Sequence, residues 1–478
     1  MTKRQRVVLF FICASLFLLS AIIIVFYSQG FRFDFEKKKI TQTGAFYFKV
    51  LPKSTQVYLD DQSKKKAAFF FGSIFIDNLL PKKYNIKIKK EGHFTWEKNL
   101  EIKEKEVTEA KNIILIKKSP NFFPLIKGVE KFFFSPDEKK IILLETKETG
   151  WEIKLYDLKN NIKSHLIKSI DIGKKGVDFL DLNFSSDSKK LLLKVVLKEN
   201  LKYYLIDLDK TPVVLTPLDF LAEDLEGISF NPKDSQKLFF LQKGKLKEAD
   251  LIRKEFSPTP LENVLTWTIL NGNIYYLEKS GYLFKTDSFF GGRERINEIV
   301  FPLKDETKYE ISVFPEFFFL KENEALYFLN PETKAFEKFF EGVKKLKISP
   351  DFEKLVYFTD SEIWVLFLKE QYGQPPKKTG EKLFLTRFSD KIEELFWFSS
   401  HYLVFNSGNK IKIAEVDERD RINIFDLTEF SSVAKSYGGS SEAFGEGGKN
   451  PKIYFNQTDK KLYLLSEGNL FSSEKLLP

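Results

Sequence analysis

One unit recurs from about residue 120 to the end of this chain, and it narrows the folds open to it more than any other feature. The unit is an apolar run, a Ser-Pro-Asp or related turn, a Lys-rich step, a second apolar run and a third. Its clearest copies begin FFFSPDEKKIILL (132–144), LNFSSDSKKLLL (182–193), ISFNPKDSQKLFFL (228–241) and LKISPDFEKLVYF (346–358), with third runs at 151–158, 203–208 and 363–368. The turn has a mechanism. Pro136 and Pro350 preset φ for a type I turn, and Asp137 and Asp351 follow where a side chain can bond its own backbone. Each turn reverses the chain from one apolar strand into its neighbour. A sheet unit repeating every ~40–50 residues cannot bury its faces alone, so successive copies must pack on one another.

Weaker copies at 265–287, 311–330, 395–417 and 452–471 bring the count to eight, or seven if the Ile311 copy merges with a neighbour. The set resembles a β-propeller of the TolB-like or WD-repeat kind, which implies a closed ring with no long strand edge left exposed. Two stacked β-sandwiches are the alternative. The first two units have fourth strands (165–171 and 212–218), whereas the last runs out at Pro478. The stretch NFFPLIK (121–127), just ahead of the first unit, is the natural supplier of the missing strand. Ser431 to Asn450 is rich in Gly and Ser and reads as a flexible loop, a tolerated insertion rather than a binding lip.

Residues 44–117 alternate apolar and polar side chains in short runs: Phe46, Phe48, Val50; Val57, Leu59; Tyr84, Ile86, Ile88. Period two predicts half-buried antiparallel strands. The order of these residues, with Pro52 in a turn, Val57-Tyr58-Leu59-Asp60, and then Leu80-Pro81-Lys82-Lys83-Tyr84 through Gly92-His93-Phe94, resembles the PEGA domain. That resemblance implies a small β-sandwich-like module of bacterial and archaeal surface proteins, a scaffold without catalytic residues. Two departures stand out: the naming tetrapeptide is Pro52-Lys53-Ser54-Thr55, and Lys83 replaces the Gly before Tyr84.

Val7 to Tyr27 carries no charge. At 1.5 Å per residue such a run spans roughly 30 Å, the hydrocarbon thickness of a bilayer. It is longer than a cleaved signal peptide's apolar stretch of roughly 7–15 residues and ends in Tyr27-Ser28-Gln29-Gly30, so an uncleaved anchor is expected. Six apolar residues before Cys13 are too few for lipoprotein processing. Lys3, Arg4 and Arg6 should stay in the cytoplasm, which puts everything after Ser28 outside. The expected organisation is all-β: a cytoplasmic tail (1–6), a transmembrane helix (7–27), a juxtamembrane linker (28–43), a PEGA-like β-domain (44–117) and a β-propeller (120–478).

The formal charge of +9 looks like a nucleic-acid signal until it is located. The first 43 residues hold seven basic and two acidic side chains, and the other 435 carry a net of only +4 with Lys and Glu interspersed. No concentrated phosphate-binding patch is visible, so no nucleic-acid partner is expected. The single Cys13 excludes an internal disulfide and a Cys-based metal site.

Chemistry is sparse. His93, His165 and His401 are scattered, none at metal-ligand spacing with another His or Cys. No Gly-x-Ser-x-Gly elbow and no Gly-x-x-x-x-Gly-Lys-Ser/Thr loop occurs. Ser185-Ser186-Asp187 resembles the opening of a sialidase Asp-box, but its Gly and Trp are missing and it reads as a turn. Asp157 and Asp207 fall at third-strand ends, where a turn role accounts for them. The five tryptophans sit mostly in strand-like runs and are expected to pack in the core rather than stack on sugars. No catalytic, cofactor-binding or metal residue is nominated, and no cofactor is expected. The expected function is a non-enzymatic binding or scaffolding protein of the bacterial cell envelope, held in the bilayer through Val7 to Tyr27 and engaging a protein or glycan. The alternative is an envelope hydrolase or lyase with its site in the propeller funnel.

Overall fold

The computed structural model describes residues 3–66, 72–173, 176–210, 212–435 and 452–477. The apolar N-terminal run forms helix α1, Lys3–Ser28, long and apolar enough to cross a membrane and touching no core of the protein. Residues 28–43, read as a linker, instead contain a hairpin. Strand β1 (Phe31–Asp34) pairs antiparallel with β2 (Lys39–Gln42).

The small domain has two sheets around one core. One carries the strands Ser73–Leu79, Gly44–Leu51 and Val107–Ile114; the other carries Gln62–Lys66, Gln56–Leu59, Lys83–Lys89 and Trp96–Glu101. The alternating residues Phe46, Phe48, Val50, Val57, Leu59, Tyr84, Ile86 and Ile88 are all buried in the core between them. One pairing departs from the antiparallel expectation: Gly44–Leu51 and Val107–Ile114 run parallel. They are the first and last strands of the domain, so the whole domain serves as the crossover that a parallel pair needs. Gly44 has no substitute here, because a Cβ would lie 2.5 Å from the Lys103 carbonyl oxygen and 2.7 Å from that of Glu106.

Eight four-stranded antiparallel sheets follow among the described residues. Sheets 1 to 7 span 129–168, 177–217, 227–256, 264–295, 309–340, 345–387 and 392–429, each with its strands in chain order. Sheet 8 takes three strands from 452–473 and its outermost from Phe122–Lys127, which pairs antiparallel with Asn469–Ser473. Pro124 is tolerated in that closing strand because an edge strand has a side with no ladder bond to donate. The final strand is thus supplied from the start of the repeat region.

Second strands such as Ile141–Leu144 are buried on both faces, which is why they read as continuous apolar runs rather than alternating ones. Side chains from one strand feed two clusters: Phe239 packs toward sheet 4, Phe240 toward sheet 2. Every neighbouring pair shares such a cluster, from Ile142 with Leu191 between sheets 1 and 2 to Tyr463 with Ile141 between sheets 8 and 1. The sheets therefore close on themselves in a propeller-like ring.

The Ser-x-Asp turns carry the hydrogen bonds their sequence predicts. Ser135 Oγ donates to Asp137 Oδ1 (2.6 Å) and accepts from Lys140 N (3.0 Å), and Lys139 N donates to Asp137 Oδ1 (3.2 Å). Ser185, Asp187 and Lys190 repeat the pattern, as do Ser349, Asp351 and Lys354. The turns also bond one another: Ser188 Oγ accepts from Asp137 N (3.2 Å), and Ser235 Oγ donates to Asp187 Oδ2 (2.8 Å). The fourth strand expected at 165–171 ends at Lys168, and Ser169–Ile172 makes a helical turn. Most of the expected loop at Ser431 to Asn450 lies outside the described residues. Its first five residues belong to the short helix Phe430–Lys435, which buries Phe430 and Val433 between sheets 7 and 8.

Sheet 1 also shows how the surface lysines are used. Glu145 faces Glu152 directly across the ladder, a like-charge pair that is unfavourable alone. Lys154 (2.5 Å), Lys163 (2.8 Å) and Lys147 (3.1 Å) surround the Glu145 carboxylate. Burial pushes its pKa up, but the three ammonium groups override this and bring it to about 2. A depressed carboxylate stabilises the fold above its ordinary pKa, and that contribution disappears as pH falls from 4.5 to about 2. Solvent reaches Lys147 and Lys163, so the realised amount is about 1–2 kcal/mol rather than the full shift. Across that window the melting temperature of Glu145→Gln should fall less steeply than that of the wild type. Parallel curves would remove this role for Glu145.

Candidate functional site

Charged groups converge where the small domain meets sheets 6 and 7, around a cleft of about 390 Å³. The strand Trp96–Glu101 alternates so that Trp96, Lys98 and Leu100 point the same way, inward. Lys98 is 0% exposed. Its Nζ donates to the carbonyls of Asp417 (2.8 Å), Arg419 (2.9 Å) and Arg421 (2.6 Å) and lies 2.7 Å from Glu415 Oε1. The loop between the third and fourth strands of sheet 7 thus wraps the ammonium of a residue more than 300 positions earlier.

The rest of the Glu415 carboxylate is also partnered. Oε2 accepts from Trp96 Nε1 (2.8 Å), and Oε1 accepts from Asn423 N and Nδ2 (both 2.9 Å). Burial pushes the Glu415 pKa up against the pull of Lys98. Asp417 goes the other way: burial raises it, but Arg419 and Lys98 hold it below the usual carboxylate range. Around this centre Asn99 bonds Asp420, Arg421 bonds Glu97, and the Phe94 and Phe425 rings stack at 5.1 Å. The Gln374 amide pairs with the strand Val107–Ile114 from the side of sheet 6, donating to Val107 O (3.0 Å) and accepting from Glu109 N (2.8 Å). The assembly is a clamp holding the small domain to the ring.

One side chain lining the cleft is less committed. His401, half-buried in the turn between the first two strands of sheet 7, has no hydrogen-bond partner for its ring among the described residues. Burial, with Lys354 nearby, lowers its pKa to about 4, so it is neutral at physiological pH. Lys377 is engaged by Glu381 (2.6 Å) and Glu418, leaving His401 as a neutral base or acceptor beside charged walls. Among the described residues no group of three or more His, Cys, Asp or Glu could hold a metal ion.

The other residues singled out in the sequence do not gather here. His93 Nδ1 lies 2.8 Å from the Glu91 carbonyl, and His165 Nε2 lies 3.3 Å from Glu152. Asp157 accepts from the amides of Lys159 and Asn160, and Asp207 from that of Asp209, all within turns. Ser185 and Asp187 bond each other and their own turn. Trp96, Trp151 and Trp397 are buried, with indole N–H groups on Glu415, Val177 O and Lys347 O. Trp267 is half-buried and lines a second cleft of about 600 Å³ against the first strands of sheets 3 to 5, where Glu226, Lys308 and Tyr309 are the titratable groups. The clamp itself went unread in the sequence. Its one local signal is a lysine at an inward position between Trp96 and Leu100.

No family model matches the chain, and no curated protein resembles it in sequence. Among solved structures, the computationally designed Ika8 protein is 11% identical, over 73% of this chain and 96% of its own, with a TM-score of 0.43. An oligogalacturonate lyase in complex with manganese is 15% identical over 76% and 98%, at 0.38. The β-propeller domain of Cps50 (Swd1) from Myceliophteria thermophila is 11% identical over 74% and 99%, at 0.38. Such distant likenesses say nothing of activity, and the propeller-like ring is seen in the sheet order and its closure.

Proposed function

We propose that this chain is a membrane-anchored binding or scaffolding protein of the cell envelope. In this reading α1 crosses the cytoplasmic membrane with residues 1–6 inside and the bulk outside. The PEGA-like domain is a rigid pedestal, and an eight-bladed propeller presents a protein- or glycan-binding face. The observation that carries the reading is a set of large apolar side chains left in solvent on the end of the ring that also seats the small domain, Tyr372 beside the clamp cleft and the others farther round the ring. Phe289 (84% exposed) and Tyr372 (87%), with Ile252 and Phe352, lie in turns joining first to second or third to fourth strands. In an antiparallel meander all such turns emerge on the same side. Exposed aromatic anchors on a rigid face favour docking. The buried carboxylates at the domain boundary, by contrast, are bonded to the clamp.

Affinity capture from membranes with the intact chain, against a variant carrying Ile252→Ser, Phe289→Ser, Phe352→Ser and Tyr372→Ser, tests this. A specific partner recovered by the wild type should be lost about tenfold or more in the variant. The hydrolase or lyase reading has one observation of its own, the neutral His401 ring in the lining of the cleft. Turnover of a glycan or peptide library that disappears in His401→Gln at unchanged stability, with no partner captured, would replace the binding reading.

A further inference from the structure

The β1–β2 hairpin has two unlike faces. Its inner face is fastened to the small domain: Thr41 bonds Glu104, Arg32 Nη2 donates to Asn78 Oδ1 (2.8 Å), and Lys37 Nζ donates to Pro81 O (3.0 Å). Asp34 and Thr41 are buried there. On the outer side Phe33 (48% exposed) and Ile40 (69%) are cross-strand partners, and Phe35 (82%) packs edge-on against Phe33 at 5.0 Å. A patch of two phenylalanines and an isoleucine facing water on a two-stranded ribbon is costly to leave uncovered.

The place of the patch decides what covers it. Only Gln29 and Gly30 separate α1 from β1. Two extended residues reach roughly 7 Å. Phe31 packs edge-on against Phe26 of α1 at 5.2 Å, and Arg32 donates to Tyr27 O (2.7 Å) with its guanidinium 3.4 Å from the Tyr27 ring centre. The patch is therefore continuous with the apolar surface of the helix end, at the level where α1 would leave a bilayer. The turn beyond it exposes Lys38, flanked by Lys37 on Pro81 O and Lys39 at 3.6 Å from Glu104, with Glu36 as the one exposed acid. Aromatic side chains and lysines in this order suit the acyl–headgroup boundary.

We propose that the hairpin is a membrane foot. Phe33, Phe35 and Ile40 enter the interface of the same bilayer that α1 crosses, with Lys38 of the turn among the phosphates. The small domain then stands on the membrane at a set angle, and the clamp passes that angle to the propeller. This inference rests on the membrane reading of α1, so its test carries a separate reporter for the helix. The full chain, with Cys13→Ser, is labelled with an environment-sensitive nitrobenzoxadiazole at Phe35→Cys, or in separate samples at Leu18→Cys or Tyr372→Cys. Each is reconstituted in phosphatidylcholine–phosphatidylglycerol nanodiscs. The label at position 35 should show blue-shifted emission, lose intensity to lipids bearing a shallow nitroxide and resist aqueous iodide; the label at 372 should behave oppositely. Lipid quenching at 18 with iodide quenching at 35 overturns the foot and leaves the anchor standing. Quenching by lipid at neither position overturns both. A label at 35 shielded from iodide yet untouched by lipid nitroxides means that protein, such as a second copy, covers the patch, and also overturns the proposal.

Discussion

Phe122→Ala with Ile126→Ala is expected to prevent the propeller from folding to a stable state. The two side chains face different clusters. Phe122 joins the one between sheets 7 and 8, and Ile126 joins the one between sheets 8 and 1. The closing strand is thus stapled on both flanks as well as paired along Asn469–Ser473. Buried Phe→Ala costs about 3–5 kcal/mol and Ile→Ala about 2–5. Sites without shared partners add, so the sum reaches roughly 5–10 kcal/mol, against a total of about 5–15 for a natural fold. Detachment of the strand would also leave an open sheet edge, inviting aggregation. Urea unfolding followed by near-ultraviolet circular dichroism should show each single variant shifted and the double variant without a cooperative transition. A double variant within about 1 kcal/mol of the wild type would mean that the ring does not depend on this closure.

Lys98→Met should have the next largest effect, concentrated at the domain boundary. It removes the ammonium from a ring of three carbonyls and leaves the Glu415 carboxylate buried against Trp96 and Asn423 without its cation. Breaking one side of a buried pair costs about 3–5 kcal/mol, whereas replacing both sides with apolar groups is often close to neutral. Lys98→Met with Glu415→Gln should therefore recover part of the loss, because the neutral amide removes the unpaired charge and its oxygen can still accept from Asn423. Denaturation of the four proteins in the double-mutant cycle measures the coupling, and limited proteolysis in the Asp417–Asn423 loop should quicken in Lys98→Met alone. Additive effects of the two substitutions would show that the pair is not the clamp's centre.

How much of this molecule was legible beforehand follows from the range of each interaction. Helix α1, the alternation of Phe46, Phe48 and Val50, and the Ser-x-Asp turns are set by side chains within a few residues of one another. Period, charge and turn chemistry suffice to read them. The closing strand was readable for a further reason: a ring of similar units leaves one strand position to fill, and 121–127 was the unassigned apolar run beside it. The hairpin at 31–42 was missed because its stability comes from Asn78, Pro81 and Glu104, which lie far along the chain. Without them its short strands read as a basic linker. The parallel pairing of Gly44–Leu51 with Val107–Ile114 was missed because alternation reports which face is buried, not which neighbour lies alongside or in which direction. The clamp is the extreme case. Lys98 and Glu415 acquire meaning only when folding brings them within 2.7 Å, and the carbonyls that hold the lysine are backbone atoms with no residue signature. By itself the sequence determined the elements, their turns and the repeat that must close. Tertiary structure alone decided which charges became buried partners and which apolar faces were left for another surface, because both depend on desolvation, and desolvation exists only once the chain is packed.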